Sequence, residues 1–362
     1  MPLTDRDVLT ALGRVKYPGY TRDIVSFGIV RDLDIDGGRV RFRIDPRAAS
    51  PETTSRLLED ARKAVLGVPG VVSVEAALVP PAAASRGGSP GRAQAVPAPD
   101  DTLLTEVGSV VAVASGKGGV GKSTVAVNLA VALARHGAAV GLMDADIYGP
   151  SIPLMMGVRD RPVLDAATKQ IVPFERHGVR LMSLGFFVER DSAIIWRGPM
   201  VIKAVVELLR DVSWGQLDVL VVDMPPGTGD AQLTLSQKVR LAGAVIVTTP
   251  QDVALADAAR GVAMFRKVGV PVLGIVENMS YFACPHCGGR TEIFGHGGGS
   301  AEADRLGVPF LGEVPLDPAV RDAGDRGVPI VAADPSSPQS EAFTRIAETV
   351  ARKLREGASQ PR

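Results

Sequence analysis

Glycine, lysine and hydroxyl side chains are concentrated in residues 115–124, a stretch that reads Ser-Gly-Lys-Gly-Gly-Val-Gly-Lys-Ser-Thr. An apolar run precedes this stretch and an apolar periodicity of helical type follows it, so we predict a strand, a tight loop and a helix. Glycines in such a loop allow backbone N–H groups to converge on phosphates, and the second lysine reaches the β and γ phosphates. The stretch therefore predicts a nucleotide site.

The predicted nucleotide contacts are consecutive residues of this loop: Gly116, Lys117, Gly118, Gly119, Val120, Gly121, Lys122, Ser123 and Thr124. Lys122 is the catalytic lysine of the motif, and the hydroxyl of Ser123 is the predicted ligand of Mg²⁺.

Aspartates follow two later apolar runs. Asp144 and Asp146 come after one run, and Asp223 comes after another and opens a Pro-Pro-Gly-Thr-Gly loop. A carboxylate that leaves a buried strand beside a phosphate site can bind Mg²⁺ or orient an attacking water. We therefore predict Asp223 as a catalytic residue and magnesium ligand. For Asp146, catalysis is one interpretation and a strand-end turn is the other.

Asn278 follows a further apolar run, Val272–Val276. Its amide offers donors and an acceptor that suit an adenine edge, so we predict a nucleotide contact. A helix cap is the alternative interpretation of this residue.

Cys284 and Cys287 are the two cysteines of the chain, and they lie in a Cys-x-x-Cys turn. A turn of this spacing lets both sulfurs face one metal. However, two thiolates complete neither a tetrahedral zinc site nor a four-cysteine cluster. A disulfide scaffold is excluded, because such scaffolds need more cysteines.

Four interpretations of this turn remain open. A metal or cluster could bridge two copies of the chain, which the spacing favours, or zinc could use both cysteines and His296. The pair could also be a redox dithiol, although thioredoxin-like enzymes carry that motif after their first strand. The last interpretation is a pair of inert buried thiols.

The elements that position these groups are predicted from apolar runs that alternate with helical segments over residues 103–362. Runs that are apolar on both faces and separated by helices are typical of a doubly wound, mostly parallel α/β sheet. Ligands of such sheets bind at the carboxyl ends of strands, where every motif above lies. The runs are Val110–Ala114, Val140–Met143, Val179–Leu184, Val219–Val222, Val245–Thr248, Val272–Val276 and Phe310–Val314.

Residues 1–80 predict a small α+β domain of order αββαβ. A first helix is expected to end at Pro18-Gly19, followed by a strand over Ile24–Val30 and a half-buried strand over Val40–Ile44. A helix from Pro51 and a strand over Val71–Leu78 complete it. Residues 81–102 are rich in proline, alanine and glycine, which predicts a flexible linker.

The composition is that of an ordinary globular protein, with 46% hydrophobic residues. Lysine plus arginine and aspartate plus glutamate each number 40, so no global basic field indicates nucleic acid. The start of the chain has no apolar signal segment, and no apolar run approaches the ~20 residues of a membrane span. We therefore expect a cytoplasmic protein with neither a nucleic-acid nor a membrane partner. A C-terminal apolar stripe, Phe343 to Leu354, is expected to pack on the domain rather than on a membrane surface.

With the loop in view, Lys117 resembles the additional lysine of the deviant Walker-A ATPases, the class that includes MinD and ParA. The stretches 144–151, 223–230 and 284–288 together resemble the Mrp/ApbC iron–sulfur cluster carriers. The resemblance covers residues 108–350 or so, and the first 80 residues resemble a PaaD-like domain.

The resemblance implies a homodimer that binds ATP and Mg²⁺ and hydrolyses ATP slowly. Lys117 would contact nucleotide across the interface, and Asp146 would place the attacking water. Cys284 and Cys287 of two subunits would hold one [4Fe–4S] cluster, which is then handed to apoprotein clients. PaaD-like domains often carry a cysteine, and this one has none. Two other functions remain: a MinD/ParA-like positioning ATPase, and the same ATPase with a structural zinc at its cysteines.

Overall fold

The computed structural model describes residues 3–15, 23–25, 29–44, 51–78, 103–147, 149–187, 198–284 and 286–358. The chain divides into two compact units, Met1–Arg92 and Ala93–Arg362, and each is described by itself. The boundary falls among residues 79–102, which lie outside the described residues. The linker therefore stays a prediction.

The first unit places two helices on a three-stranded sheet of order β1-β2-β3. Its elements are α1 (Asp5–Leu12), β1 (Val30–Asp36), β2 (Arg39–Ile44), α2 (Pro51–Leu66) and β3 (Ser73–Leu78). The predicted order αββαβ is confirmed. Residues of β2 alternate between buried and exposed, so Val40, Phe42 and Ile44 enter the core with Leu12 and Leu57.

Two predictions for this unit are wrong in their boundaries. The first helix ends at Leu12, before Pro18. The strand predicted over Ile24–Val30 instead runs over Val30–Asp36, although Ile24 is buried. The reason is the tight turn at Gly37 and Gly38, which pairs Asp36 with Arg39 and thereby fixes which residues enter the strand.

The second unit is an α/β unit with a nine-stranded sheet in the residues that the structure describes. Its first half contains β4 (Val107–Ala114), α3 (Lys122–Arg135), β5 (Val140–Asp144), α4 (Ile152–Met155), β6 (Phe174–Arg176), β7 (Val179–Ser183), a 3₁₀ turn (Leu184–Phe187), α5 (Gly198–Asp211) and β8 (Leu217–Asp223). Its second half contains α6 (Asp230–Lys238), β9 (Gly243–Thr248), α7 (Asp252–Lys267), β10 (Val272–Ala283), β11 (Arg290–Thr291), α8 (Gly298–Leu306), β12 (Phe310–Leu316), α9 (Pro318–Asp325), α10 (Ile330–Ala333) and α11 (Pro338–Ala358).

The strands follow the order β11-β10-β9-β4-β8-β5-β7-β6, and β12 also pairs with β10. All these pairs are parallel except those of β6 and β11. Successive residues of β4 point to opposite faces: Val111 and Val113 pack with α3 and α11, whereas Val110 and Ala112 pack with α5 and α7. The predicted doubly wound sheet is confirmed, since every predicted run forms a strand.

Three details were not predicted correctly or at all. The strands β6 and β11 were missed, and β10 continues to Ala283 instead of ending near Val276. The C-terminal helix packs on the domain as expected, because Phe343 and Val350 are fully buried. Within the described part of the chain, we find no helix that combines the length and apolar character needed to cross a bilayer.

Candidate nucleotide site and cysteine hairpin

The loop between β4 and α3 has the backbone that its glycines predict. Gly119 and Gly121 both have φ of 82°, in the left-handed region that favours glycine. A Cβ atom at Gly121 would lie closer than 3.0 Å to Nδ2 of Asn278, and one at Gly116 would lie equally close to the backbone of Asp257. Both glycines are therefore required by close packing. The N-terminus of α3, which begins at Lys122, favours anions such as phosphate.

Lys122, Ser123 and Asp223 converge where β4 and β8 end. The Lys122 ammonium donates to Oδ1 of Asp223 at 2.6 Å, and the Ser123 hydroxyl donates to Oδ2 at 2.5 Å. Asp223 is fully buried, and its burial raises the pKa of the carboxyl group while the charge of Lys122 opposes that rise. The structure thus brings together the residues predicted to bind the phosphates and Mg²⁺.

Asp146 faces the same lysine. One of its carboxylate oxygens, Oδ2, lies 3.6 Å from the Lys122 ammonium, and the other, Oδ1, is buried without a hydrogen-bond partner among the described residues. Buried oxygens are rarely left unpaired, so an orphaned one indicates a place where a ligand or ordered water binds. Asp146, Ser123 and Asp223 are all oxygen donors, the ligands that Mg²⁺ prefers, and this donor set fits that ion.

Asp144 has a different role, which the sequence did not separate from that of Asp146. Its carboxyl group accepts hydrogen bonds from the backbone N–H of Asp146 at 3.0 Å and from the Ser183 hydroxyl at 3.0 Å. Burial, followed by repulsion from Asp223, raises the pKa of Asp144 to about 8. Through these two hydrogen bonds, Asp144 holds the loop that carries Asp146.

The loop after Asp223 is tied to the phosphate loop, because the N–H of Gly227 donates to the carbonyl of Ser115 at 2.9 Å. At the start of α6, the buried Gln232 amide donates to the carbonyl of Pro225. Its Oε1 is the second buried side-chain oxygen without a partner among the described residues. Sequence reasoning missed Gln232, since nothing in its spacing distinguishes it from an ordinary helix residue.

Lys117, within the loop, and Asn278, at the end of β10's doubly paired segment, have different surroundings. Lys117 is half-buried, and its ammonium group has no ion-pair partner among the described residues. Asn278 is buried, and its amide donates to the carbonyl of Val120 at 2.9 Å. The predicted adenine contact of Asn278 stays a prediction. What the structure does place there is a hydrogen bond to the phosphate loop itself.

Cys284 and Cys287 lie on the hairpin that joins β10 to β11. The backbone N–H of Cys284 donates to Gly289 at 2.9 Å, and the N–H of Gly288 donates back to Cys284 at 2.8 Å. Both thiols are free, Cys287 is exposed and Cys284 is partly exposed, so the interpretation as inert buried thiols is wrong. Backbone hydrogen bonds from His286 and Cys287 lower the pKa of the Cys284 thiol.

His296 does not face the cysteines. Its Nε2 lies 2.8 Å from Glu313, and its Nδ1 lies 3.6 Å from Glu292. In the described residues, the one group of three His, Cys, Asp or Glu ligand atoms within 4.8 Å of one another is Glu277, His296 and Glu313. The interpretation as a zinc site with both cysteines and His296 therefore finds no support in the geometry.

The fold and the buried lysine–aspartate cluster define a P-loop NTPase. Residues 106–351 match the family described as the NUBPL iron-transfer P-loop NTPase, and residues 5–76 match the family described as iron–sulfur cluster assembly protein. The chain belongs to the NUBPL iron-transfer P-loop NTPase family.

Relatives share much of this sequence. A Synechocystis protein named iron–sulfur cluster carrier protein is 47% identical over 97% of this chain and 98% of its own length. The mouse protein named iron–sulfur cluster transfer protein NUBPL is 52% identical over 71% of this chain and 81% of its own length.

Solved structures show the same fold. The nucleotide-binding protein of Archaeoglobus fulgidus in complex with ADP, in which cobalt was found, is 38% identical, with a TM-score of 0.58 over 67% of this chain and 95% of that one. The cell-division ATPase MinD of Pyrococcus furiosus is 25% identical, with a TM-score of 0.53 over 68% of this chain and 99% of that one.

Proposed function

We propose that this protein is an iron–sulfur cluster carrier whose two subunits hold one [4Fe–4S] cluster between them and transfer it to apoprotein clients. The observation that carries the proposal is the pair of free thiols, Cys287 exposed and Cys284 partly exposed, directly after a strand that also contacts the phosphate loop. The names of the relatives, iron–sulfur cluster carrier and transfer proteins, support the same function.

The ligand count supports a shared cluster. A [4Fe–4S] cluster needs four thiolates, and each chain supplies two. Among the described side chains, no group of three or more His, Cys, Asp or Glu ligand atoms within 4.8 Å of one another includes either cysteine. A second copy of the chain supplies the missing pair, so the carrier is a homodimer.

Exposed apolar side chains that follow the cysteine hairpin in the sequence support contact with a second copy. Ile293 and Phe294 follow β11 and are 52% and 37% exposed. Burial of these side chains in the proposed dimer would remove apolar surface from water and so favour association of the two copies.

The nucleotide site is proposed to bind ATP with Mg²⁺ and to hydrolyse ATP slowly. Lys122 would hold the phosphates, and Ser123 and Asp223 would hold the ion, which would supply positive charge to stabilise phosphoryl transfer. Asp146 accepts a hydrogen bond from the attacking water through its unpaired oxygen. Lys117 has no ion-pair partner among the described residues, so its ammonium group is available for the proposed contact to the other subunit's nucleotide.

Three further features complete the proposal. The first 80 residues form one domain, residues 81–102 form a linker, and the second domain extends to residue 362. The first domain contains no cysteine, and its role is to recognise clients or partners. The carrier acts in the cytoplasm, where a reducing environment keeps both thiols free. Neither nucleic acid nor a membrane is a partner.

Anaerobic reconstitution with iron and sulfide tests the cluster assignment. We expect about four irons per dimer with visible absorbance, and no bound iron in Cys284→Ala or Cys287→Ala. His296→Ala is the matched control and should keep the iron, because His296 faces Glu313 instead of the thiols. Iron binding at the parent level by both cysteine variants would contradict the proposal, as would zinc that disappears with His296.

A further inference from the structure

One strand of the second unit contacts the phosphate loop and leads directly into the cysteine hairpin. Within β10, the Asn278 amide donates to the Val120 carbonyl at 2.9 Å, and the strand ends at Ala283, immediately before Cys284. The contact is tight, because the Asn278 amide occupies the space that a Cβ atom at Gly121 would need. The loop cannot move at Val120 or Gly121 without moving Asn278 or breaking this hydrogen bond.

The strand pairing and backbone conformation of β10 change immediately after Asn278. Up to that residue the strand is held on both sides, with Glu277 paired to Thr248 of β9 and Asn278 paired to Val314 of β12. The pairing with β12 then shifts register and resumes at Phe282. Met279 has φ of 56°, a left-handed conformation that is strained for a residue with a side chain.

This left-handed residue, the Met279 kink, therefore separates the segment of β10 that is paired on both sides from the segment that leads to Cys284. Met279 also adjoins the loop, since its Cε lies 3.8 Å from the position of a Cβ atom at Gly121. Strained residues of this kind persist where the surrounding structure imposes them, and they often mark elements that change conformation in function. Here the strain lies between the two predicted sites.

Beyond the kink, polar contacts connect the strand to the base of the hairpin. The Ser280 hydroxyl donates to Glu277 at 2.5 Å and lies 3.1 Å from Glu313. Glu313 also pairs with Arg290 at 3.3 Å. The Arg290 guanidinium lies 3.7 Å from the centre of the Tyr281 ring, and Arg290 is paired with Ala283 in the hairpin. A continuous set of contacts thus runs from Val120 to the turn that holds the thiols.

We propose that Asn278 is a positioning residue that couples nucleotide binding in the phosphate loop to the arrangement of Cys284 and Cys287. The Met279 kink absorbs the change in backbone angles, and the contacts of Ser280 and Arg290 carry it to the hairpin. The inference rests on the proposed function, because it assigns nucleotide to one end of this path and the iron–sulfur cargo to the other. Coupling between two sites is reciprocal, so cargo at the cysteines also changes nucleotide affinity.

Thiol alkylation of the reduced, metal-free full-length chain tests the coupling. In the parent protein we expect Mg-ADP to change the rate of iodoacetamide reaction at the cysteines at least threefold, in either direction. Asn278→Asp keeps the shape of the side chain but removes its donor, so at Mg-ADP concentrations that saturate this variant the rates with and without Mg-ADP should become equal. Asn278→Ala removes the same contact by truncation and should give the same result.

Asn128→Ala is the matched control. Asn128 is also buried, and its amide donates to the carbonyl of Thr124, near the start of α3, at 2.9 Å. Its oxygen accepts a hydrogen bond from the N–H of Val331, so neither of these hydrogen bonds involves β10. This variant should keep the threefold response to Mg-ADP. If it loses the response together with the Asn278 variants, general loosening explains the result and the coupling role is overturned.

A second measurement uses the reciprocal effect. Loading the parent with iron and sulfide should change the Kd for Mg-ADP by a factor that disappears in Asn278→Asp. Equal alkylation rates with and without Mg-ADP in the parent, or a parent-like response in both Asn278 variants, would overturn the inference. Failure of the proposed function has a different signature: a parent that binds no Mg-ADP, or iron binding that does not need Cys284.

Discussion

At the phosphate loop, Lys122 and Asp223 are 6% and 0% exposed and contact each other directly. At the cysteine hairpin, Cys287 is exposed, and the turn that carries it is held mainly by backbone hydrogen bonds. In the first region, burial costs free energy unless charges are paired, so a single chain supplies both partners. The second region leaves its two thiols free and at least partly exposed. This accessibility supports the proposal that another molecule completes the site.

This contrast predicts that Lys122→Ala affects one region only. Removing the ammonium group should lower ATP hydrolysis at least about 100-fold, because the proposed role of Lys122 is to stabilise charge on the transferred phosphoryl group. Iron binding without nucleotide should stay at the parent level. Phosphate release and iron content measure the two effects, with Lys203→Ala, at an exposed helix lysine, as the control. A variant that hydrolyses ATP normally, or that loses iron, would break the comparison.

Matched glycines test the packing difference between the regions. Gly121 has φ of 82° and no space for a Cβ atom, whereas Gly288 in the hairpin has φ of 70° and open space around it. Gly121→Ala should cost about 2–4 kcal/mol, from the left-handed backbone and the displaced Asn278 amide. Gly288→Ala should cost only the backbone part, about 1–2 kcal/mol.

Urea unfolding of the second unit within the full-length chain measures both free energies of unfolding. Equal losses for the two variants would show that the phosphate loop is no more tightly packed than the hairpin. A larger loss for Gly288→Ala would reverse the comparison.

The sequence predicted the central sheet well because its strands are buried on both faces and read as uninterrupted apolar runs. It missed β6 and β11, which have three and two residues and carry mostly polar side chains. It also placed the strand before Gly37 too early, because apolar residues such as Ile24 are buried outside the sheet. Apolar content alone does not distinguish a paired strand from a buried turn.

In the candidate site, too, the sequence predicted some features and missed others. Short-range motifs predicted the phosphate loop, Asp223 and the cysteine turn, because each is a contiguous stretch with a defined chemistry. The hydrogen bond from Asn278 to Val120 joins residues 158 positions apart, and the Ser280–Glu313 contact joins residues 33 apart. No local pattern marks such pairs, since they depend on which strands become neighbours in the sheet. The separate roles of Asp144 and Asp146 likewise depend on which carboxyl group faces Lys122.

The smallest predicted effect concerns the thiols. Backbone hydrogen bonds from His286 and Cys287 stabilise the thiolate of Cys284 and lower the pKa of its thiol. At a pH between the lowered pKa and the ordinary cysteine value, Cys284 carries a larger thiolate fraction than an unperturbed thiol, and thiolates are the reactive form. Alkylation of Cys284 should therefore begin at lower pH than alkylation of an unperturbed cysteine. Near neutral pH its rate should be a few-fold higher.

Mass spectrometry of the reduced, metal-free chain over a pH series checks this expectation. Cys284→Ser should remove the alkylation seen at low pH, whereas Cys287→Ser should retain alkylation of Cys284. An onset for Cys284 at the pH of a free cysteine would show that the hairpin backbone does not activate the thiol. The early onset, in contrast, would mean that the exposed region is also prepared for its ligand. In both regions the backbone would then prepare the side chains for a ligand. The cysteine hairpin would differ from the phosphate loop only in needing groups from another molecule.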